Sequence, residues 1–215
     1  MSSPASVTVW DLPVRLLHWS FVVCFGISWW SAENHVMDVH RYSGYVLLGL
    51  LIFRIYWGLF GSSTARFAHF VRGPGAVVAY LRQAGDAPAP GHTPLGALSV
   101  VALLLVLLAQ VVIGLFVTDV DGLESGPLSY LVSFDTSRLL AEIHEAVFNV
   151  LLALILLHVA AIAFYLIVRR KNLIAPMLTG RTVTTASAPV SLAPLWRALP
   201  GIAIAALAVW AVAKN

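Results

Sequence analysis

The chain is predicted to be an all-α integral membrane protein: a four-helix transmembrane bundle with a fifth transmembrane helix at its C-terminus. Three observations lead there. Hydrophobic residues make up 60% of the 215 residues and charged ones only 11%, whereas a soluble domain sits nearer about 45–50% and about 25%. Apolar runs of spanning length recur along the chain. No alternating barrel pattern occurs, and lipid cannot satisfy the open backbone groups of anything but helices and closed barrels.

The runs place helices at about 14–32, 39–60, 95–118 and 141–169, and a fifth at about 196–213. The fifth is shorter and is interrupted by Pro200-Gly201. Residues 1–180 read as one unit, and 181–215 as a linker with the last helix; the stretch 172–194, rich in Ser, Thr, Ala and Pro, is expected to be a linker. Residues 1–11 are polar and carry no basic residue before an apolar core, so they do not resemble a cleaved signal peptide.

Charge sets the expected orientation. Arg15, Arg54, Arg66, Arg72, Arg82, Arg169, Arg170, Lys171, Arg181 and Arg197 fall on one side of the bundle, and Arg41, Arg138 and Lys214 on the other. Glu33, Asp38, Asp119, Asp121, Glu124, Asp135, Glu142 and Glu145 gather at the arginine-poor end. The basic end, with the N-terminus, is expected in the cytoplasm, and the localisation is expected to be a bacterial inner membrane. The net charge of +3 is then inner-leaflet bias rather than a nucleic-acid footprint.

Two loops hold most of the polar surface. In the cytoplasmic one, 74–82 reads as a short interfacial amphipathic helix with Val77, Val78, Tyr80 and Leu81 near lipid. It is followed by a breaker-rich stretch at 85–91. The external loop, 118–140, is acidic, with turn signals at Asp121-Gly122 and Gly126-Pro127. The single cysteine, Cys24, lies in an apolar helix, so there is no disulfide framework and no C-x-x-C-H haem attachment.

The histidines carry the chemistry. His144 and His158 stand fourteen residues apart in one apolar run, a rise of ~21 Å that returns to nearly the same helix face. Ionisable groups inside a span need a partner, and a pair of haem irons best fits two stacked imidazoles. Bis-histidine ligation of two haems requires two more histidines at matching depths. His18 lies twelve residues below Trp30, ~18 Å down the first helix, which matches His158. His40 begins the second helix at the outer face, which matches His144. The expected pairs are His18–His158 and His40–His144. Counted from the cytoplasmic side the depths agree less well: His158 is eleven residues above Arg169, and His18 three from Arg15. The fourth helix must project past the inner surface to reconcile them.

Arg54, fourteen residues after His40, shares that face and is a candidate for an inner-haem propionate. Snorkelling to the headgroups is the equal alternative. Gly44, one turn after His40, would let a porphyrin approach the backbone, and close helix packing explains it as well. His35 is expected to be solvated. His92 is the substitute should His18 not be a ligand. Trp19, Phe21, Phe25, Trp29, Trp30, Phe53, Tyr56, Trp57 and Phe148 could wall the haems or be ordinary core and interface.

Val9-Trp10-Asp11-Leu12-Pro13-Val14-Arg15-Leu16-Leu17-His18-Trp19 resembles the opening of the bacterial cytochrome b561 family, which is similar to the cytochrome b subunits of nickel–iron hydrogenases. His40-Arg41-Tyr42-Ser43-Gly44-Tyr45, Arg54-Ile55-Tyr56-Trp57-Gly58, Gly91-His92-Thr93-Pro94-Leu95-Gly96 and Ile143-His144-Glu145 follow in that family's order. The resemblance spans Val9 to about Gly180. It implies a four-helix core, two non-covalent haem b groups and electron exchange with quinone, with the family's ligand positions falling on His18, His40, His144 and His158.

The expected function is therefore a membrane di-haem b-type cytochrome passing electrons between quinone and a redox partner. That partner would be outside: a periplasmic cytochrome, or a dehydrogenase or hydrogenase. Two alternatives belong to other classes. One is a superoxide:quinone oxidoreductase acting without a protein partner. The other is a haem-free assembly subunit or transporter, for which Arg54 and Gln110 are the main polar candidates. Lipid is the remaining partner, and no nucleic acid is expected.

Overall fold

The structure is a computed structural model, and it describes residues 5–71, 73–82, 91–184 and 190–214. Arg72 and residues 85–90 of the breaker-rich stretch lie outside the described residues.

Five helices are long and apolar enough to cross a bilayer. The first, α1 (Leu12–Glu33), starts where the side chain of Asp11 accepts a hydrogen bond from Val14 N at 2.9 Å and Pro13 fills the first turn. A short connection, in which His35 takes φ +56°, reverses the chain into α2 (Met37–Phe60). These two pack as an antiparallel pair. Two short helices follow at the basic end, α3 (Phe67–Phe70) and α4 (Pro74–Arg82). Thr93 then caps α5 (Pro94–Gly114) by accepting from Gly96 N at 3.1 Å. After a folded outer loop comes α6 (Phe134–Ile167), which packs on α5.

The α6 helix begins seven residues before its expected start at 141 because Ser133 caps it, accepting from Thr136 N, and Asp135 favours the first turn. Its 34 residues span ~51 Å, well beyond the ~30 Å hydrocarbon core. His158 lies nine residues from the end of α6 and His18 six from the start of α1. The depth mismatch counted from the charges thus shrinks to ~5 Å. Conversely, α5 ends at Gly114, four residues short of 118. There the chain turns through Leu115 and Phe116 into the outer loop.

The segment after α6 differs from the linker expected there. A helix, α7 (Ile174–Thr179), leads through Gly180 (φ +82°) into β2 (Arg181–Thr184), which pairs antiparallel with β1 (Ala5–Thr8), Thr8 opposite Arg181. This ribbon closes the N-terminal strand onto the exit of α6. Period-2 alternation is weak over four residues, so only the pairing reveals it. The last helix, α8 (Ala198–Ala213), packs along α2. Pro200 sits in its first turn, where it breaks no helical bond, so Pro200-Gly201 begins the helix rather than interrupting it. Gly201 lies directly on the ring of Tyr56, whose hydroxyl donates to the carbonyl of Arg197 at 3.0 Å.

The interior has two centres. Leu47, Leu48, Leu51, Leu107, Val111 and Leu151 form a buried cluster between α2, α5 and α6. Val9, Trp10, Val14, Trp57 and Ala65 form a second at the basic end. Outside these, large apolar side chains such as Val23, Leu105, Leu157 and Ile167 face outward, as lipid-exposed helices require. One placement departs from expectation. α4 forms as anticipated, but Tyr80 turns inward rather than to lipid: it is buried, and its hydroxyl bonds the Tyr165 hydroxyl at 2.9 Å. A phenol is better placed where its O–H has a partner.

Asp11 does double service, since its other carboxylate oxygen accepts from Trp57 Nε1 at 2.9 Å. Asp11→Ala removes the helix cap and orphans a fully buried indole N–H, and is expected to cost ~2–3 kcal/mol of stability. Denaturation in mild detergent, followed by tryptophan fluorescence, measures it.

Candidate functional site

At the acidic end of the bundle, His40 from the first turn of α2 faces His144 from α6. Their ring centres lie 6.3 Å apart, with planes at 83°. Each ring is held. His40 Nδ1–H donates to the carbonyl of Ser28 on α1 at 2.9 Å, which leaves the other nitrogen, Nε2, with a free lone pair. Ser28 and Ser43 tie the two helices at that level, their hydroxyl oxygens 2.6 Å apart. His144 Nε2 accepts from the side-chain amide of Gln110 on α5 at 3.0 Å. Gly114 clears space for it, since a Cβ there would stand 2.9 Å from the imidazole Cε1. Among the described residues, His144 Nδ1 and Gln110 Oε1 are buried without a hydrogen-bond partner.

A cavity of about 650 Å³ opens beside these rings, within the size range of small-molecule and cofactor pockets. Phe25, Trp29 and Phe148 form one wall, with Phe25 and Phe148 stacked at 6.1 Å. Gly44 lines the cavity too, and a Cβ there would meet nothing within 4 Å. That glycine faces open space, so close helix packing does not explain it. The loop between α5 and α6 closes this end of the cavity through Thr118, Asp119, Glu124 and Ser125.

The second pair is deeper. His18 on α1 lies within electrostatic reach of His158 on α6. Its Nδ1 is buried without a partner among the described residues. Arg54 is 6% exposed and so does not snorkel. Its guanidinium lies 4.7 Å over the ring of Phe67, donates to the carbonyl of Ala65 at 3.4 Å, and feels the charge of Asp11. Gly58 admits Phe67, since any side chain there would overlap the ring. His92 packs between Trp10, at 4.6 Å, and Phe70, at 4.4 Å. It belongs to this basic-end cluster with Arg54 and Asp11 rather than to the His18–His158 level. His35 is exposed. Among the described residues no three metal-binding side chains converge on one point. The histidines meet in twos.

Several contributors escaped the sequence. Ser28 acts through its backbone carbonyl, which no side-chain pattern announces, and Gly114 acts through the absence of a side chain. Gln110 was visible as the one amide in α5, without its target. Of the aromatic candidates, Trp57 belongs to the Asp11 cluster and Tyr56 to the α8 contact, not to the cavity wall.

The family model described as prokaryotic cytochrome b561 matches residues 9–180. The chain belongs to the prokaryotic cytochrome b561 family. As a cytochrome b561 it is a multi-pass membrane protein of electron transfer, with haem b as its cofactor. The match ends at Gly180, so α8 lies beyond it. No curated protein and no solved structure matches the chain.

Burial pushes the His92 imidazole down to about 4, and the nearby Arg54 charge adds to the effect. An unfolded imidazole titrates near about 6.5, so between those values the unfolded chain binds the extra proton. Stability is therefore expected to fall by ~2 kcal/mol as pH drops from about 6.5 towards 4, and His92→Gln to flatten that slope. Unfolding midpoints across that window measure it.

Proposed function

We propose that this cytochrome b561 holds two haem b groups, one between His40 and His144 and the other between His18 and His158, and passes electrons between quinone and a redox partner outside the membrane. The carrying observation is the 6.3 Å separation of the His40 and His144 ring centres. Two imidazoles sharing one first-row metal, each bonded at about 2 Å, hold their ring centres ~6 Å apart.

The surrounding residues fit the group. The cavity has the size and aromatic wall for a flat apolar macrocycle, and Gly44 leaves its face open. The His40 hydrogen bond to Ser28 sets the tautomer and raises the basicity of the free nitrogen. Among the described residues His144 has one unpartnered nitrogen, Nδ1, and one, Nε2, that accepts from Gln110, an amide that would hold the ring in place or release it to a metal. Arg54 would have to leave the Ala65 carbonyl and the Phe67 ring to meet a propionate at the inner level. Haem b, when bound, supplies a one-electron couple with no vacant iron position.

The chain's own residues do the rest. They fix the metal ligands, keep water out, and set two sites ~21 Å apart on α6. The N-terminus and the basic end would face the cytoplasm of a bacterial inner membrane, with positive charge retained inside. The superoxide reading is weakened by Arg41, which is already engaged with Glu124 at 2.7 Å and Asp38 at 3.5 Å. Arg138 likewise donates to the carbonyl of Thr118. Both cations are thus already engaged within the fold.

A reduced-minus-oxidised spectrum with a haem count is expected to show a b-type signature and two haems per chain. His40→Ala and His144→Ala should each leave one. Both haems retained in either variant would mean that the outer pair is misassigned. Gly44→Leu, which projects a side chain into the cavity, is expected to reduce the haem count from two to about one while the protein still folds. Circular dichroism and the pyridine haemochrome assay check the two halves of that expectation.

A further inference from the structure

The outer loop is a built element rather than slack chain. Thr118 bridges Ser125 in antiparallel fashion, Asp119 N donates to Glu124 O at 2.9 Å, and Gly122 makes the turn at φ +72°. Both histidine-bearing helices clamp this hairpin. Arg41, next to His40, binds Glu124 at 2.7 Å. From α6, Arg138 donates to the Thr118 carbonyl at 3.0 Å, and the hydroxyl oxygens of Ser137 and Thr118 are hydrogen-bonded at 2.6 Å.

What the hairpin presents outward is unusual for a polar turn. Val120 is 70% exposed and Leu123 83% exposed at its tip, flanked by Asp119, Asp121 and Glu124. Apolar side chains this exposed at the tip of a loop beyond the helix ends add little to the packing of this fold. Their exposure has meaning as a contact. An apolar centre with a charged rim is the anatomy of a protein interface, with the rim guiding encounter and the centre supplying affinity. Since Thr118, Asp119, Glu124 and Ser125 also line the cavity between the histidines, a protein seated on the tip stands directly over the outer pair.

We propose that residues 118–125 are the docking knob for a soluble redox protein whose contact face is an apolar patch ringed by lysine or arginine. Charge complementarity selects that partner. Eight carboxylates stand at this end against Arg41 and Arg138; at the tip Asp121 is the exposed one, Glu124 being paired with Arg41 and Asp119 Oδ1 buried. The proposal rests on the outer-face orientation and haem reading above, and its test separates the two.

The test uses the full haem-loaded chain in nanodiscs and, as probe, a basic c-type cytochrome whose iron is replaced by zinc, so that binding is read by porphyrin fluorescence without electron transfer. Leu123→Asp and Asp121→Lys are each expected to raise Kd about tenfold. Val183→Asp, placed on an equally exposed valine (70%) in β2 at the other end, should leave it unchanged. The b-type spectrum should be unaltered in all three. Kd values within about twofold of wild type for both tip variants, or equal binding of a lysine-acetylated probe, overturn the proposal. Unchanged Kd with weaker partitioning of Leu123→Asp onto lipid vesicles also overturns it, and places the tip in the bilayer surface. Absence of the b-type spectrum in the wild-type protein would instead sink the haem reading, while the fluorescence titration still reports on docking.

Discussion

An imidazole inside a lipid-facing bundle has two nitrogens and nowhere to discard them. Water is scarce at hydrocarbon depth, so each nitrogen needs a hydrogen-bond partner or a metal. That constraint organises the structure. His40 hands one nitrogen to the Ser28 carbonyl, and its ring stands 6.3 Å from that of His144. His144 keeps Nδ1 unpartnered in a buried place and reaches Gln110 with Nε2. The bundle gathers α1, α2, α5 and α6 around these groups, and its apolar core, centred on Leu51 and Leu151, lies between the two histidine levels.

The basic end solves a related problem by a different route. Arg54 is buried, and its charge is met by Asp11, the Ala65 carbonyl and the Phe67 ring together. Asp11 in turn starts α1 and holds the Trp57 indole. A carboxylate that caps a helix, anchors an aromatic ring and faces a guanidinium couples the entry of α1 to the exit of α2. This couples the shape of the basic end to its electrostatics. The β1–β2 ribbon and the bond from Arg15 Nη1 to the Leu178 carbonyl then fasten the segment after α6 onto the same corner.

The large-scale plan was legible because lipid leaves so few options. Five apolar runs gave five spanning helices, and fourteen-residue spacings put histidines at two levels. What stayed hidden is instructive. The early start of α6 depends on Ser133, one hydroxyl in a loop rich in polar residues. The short ribbon depends on a pairing between residues about 175 positions apart in the chain, which no local pattern encodes. Tyr80 read as lipid-facing because phenol rings suit interfaces, but the hydroxyl of Tyr165 offered it a better partner. Pro200 read as an interruption because its place relative to the helix start was unknown. In each case the deciding partner was distant in sequence or was a backbone atom.

The length of α6 has one more consequence. Because His144 and His158 share a single uninterrupted helix, the interval between the two levels is a property of one rigid rod, not of loops or of how neighbouring helices settle. Loops on either side can drift in evolution without altering it. One residue inserted between the two histidines would swing the lower ring by about 100° away from His18. The helix thus works as a gauge block, and the stretch between its two imidazoles is where this fold tolerates no change of register.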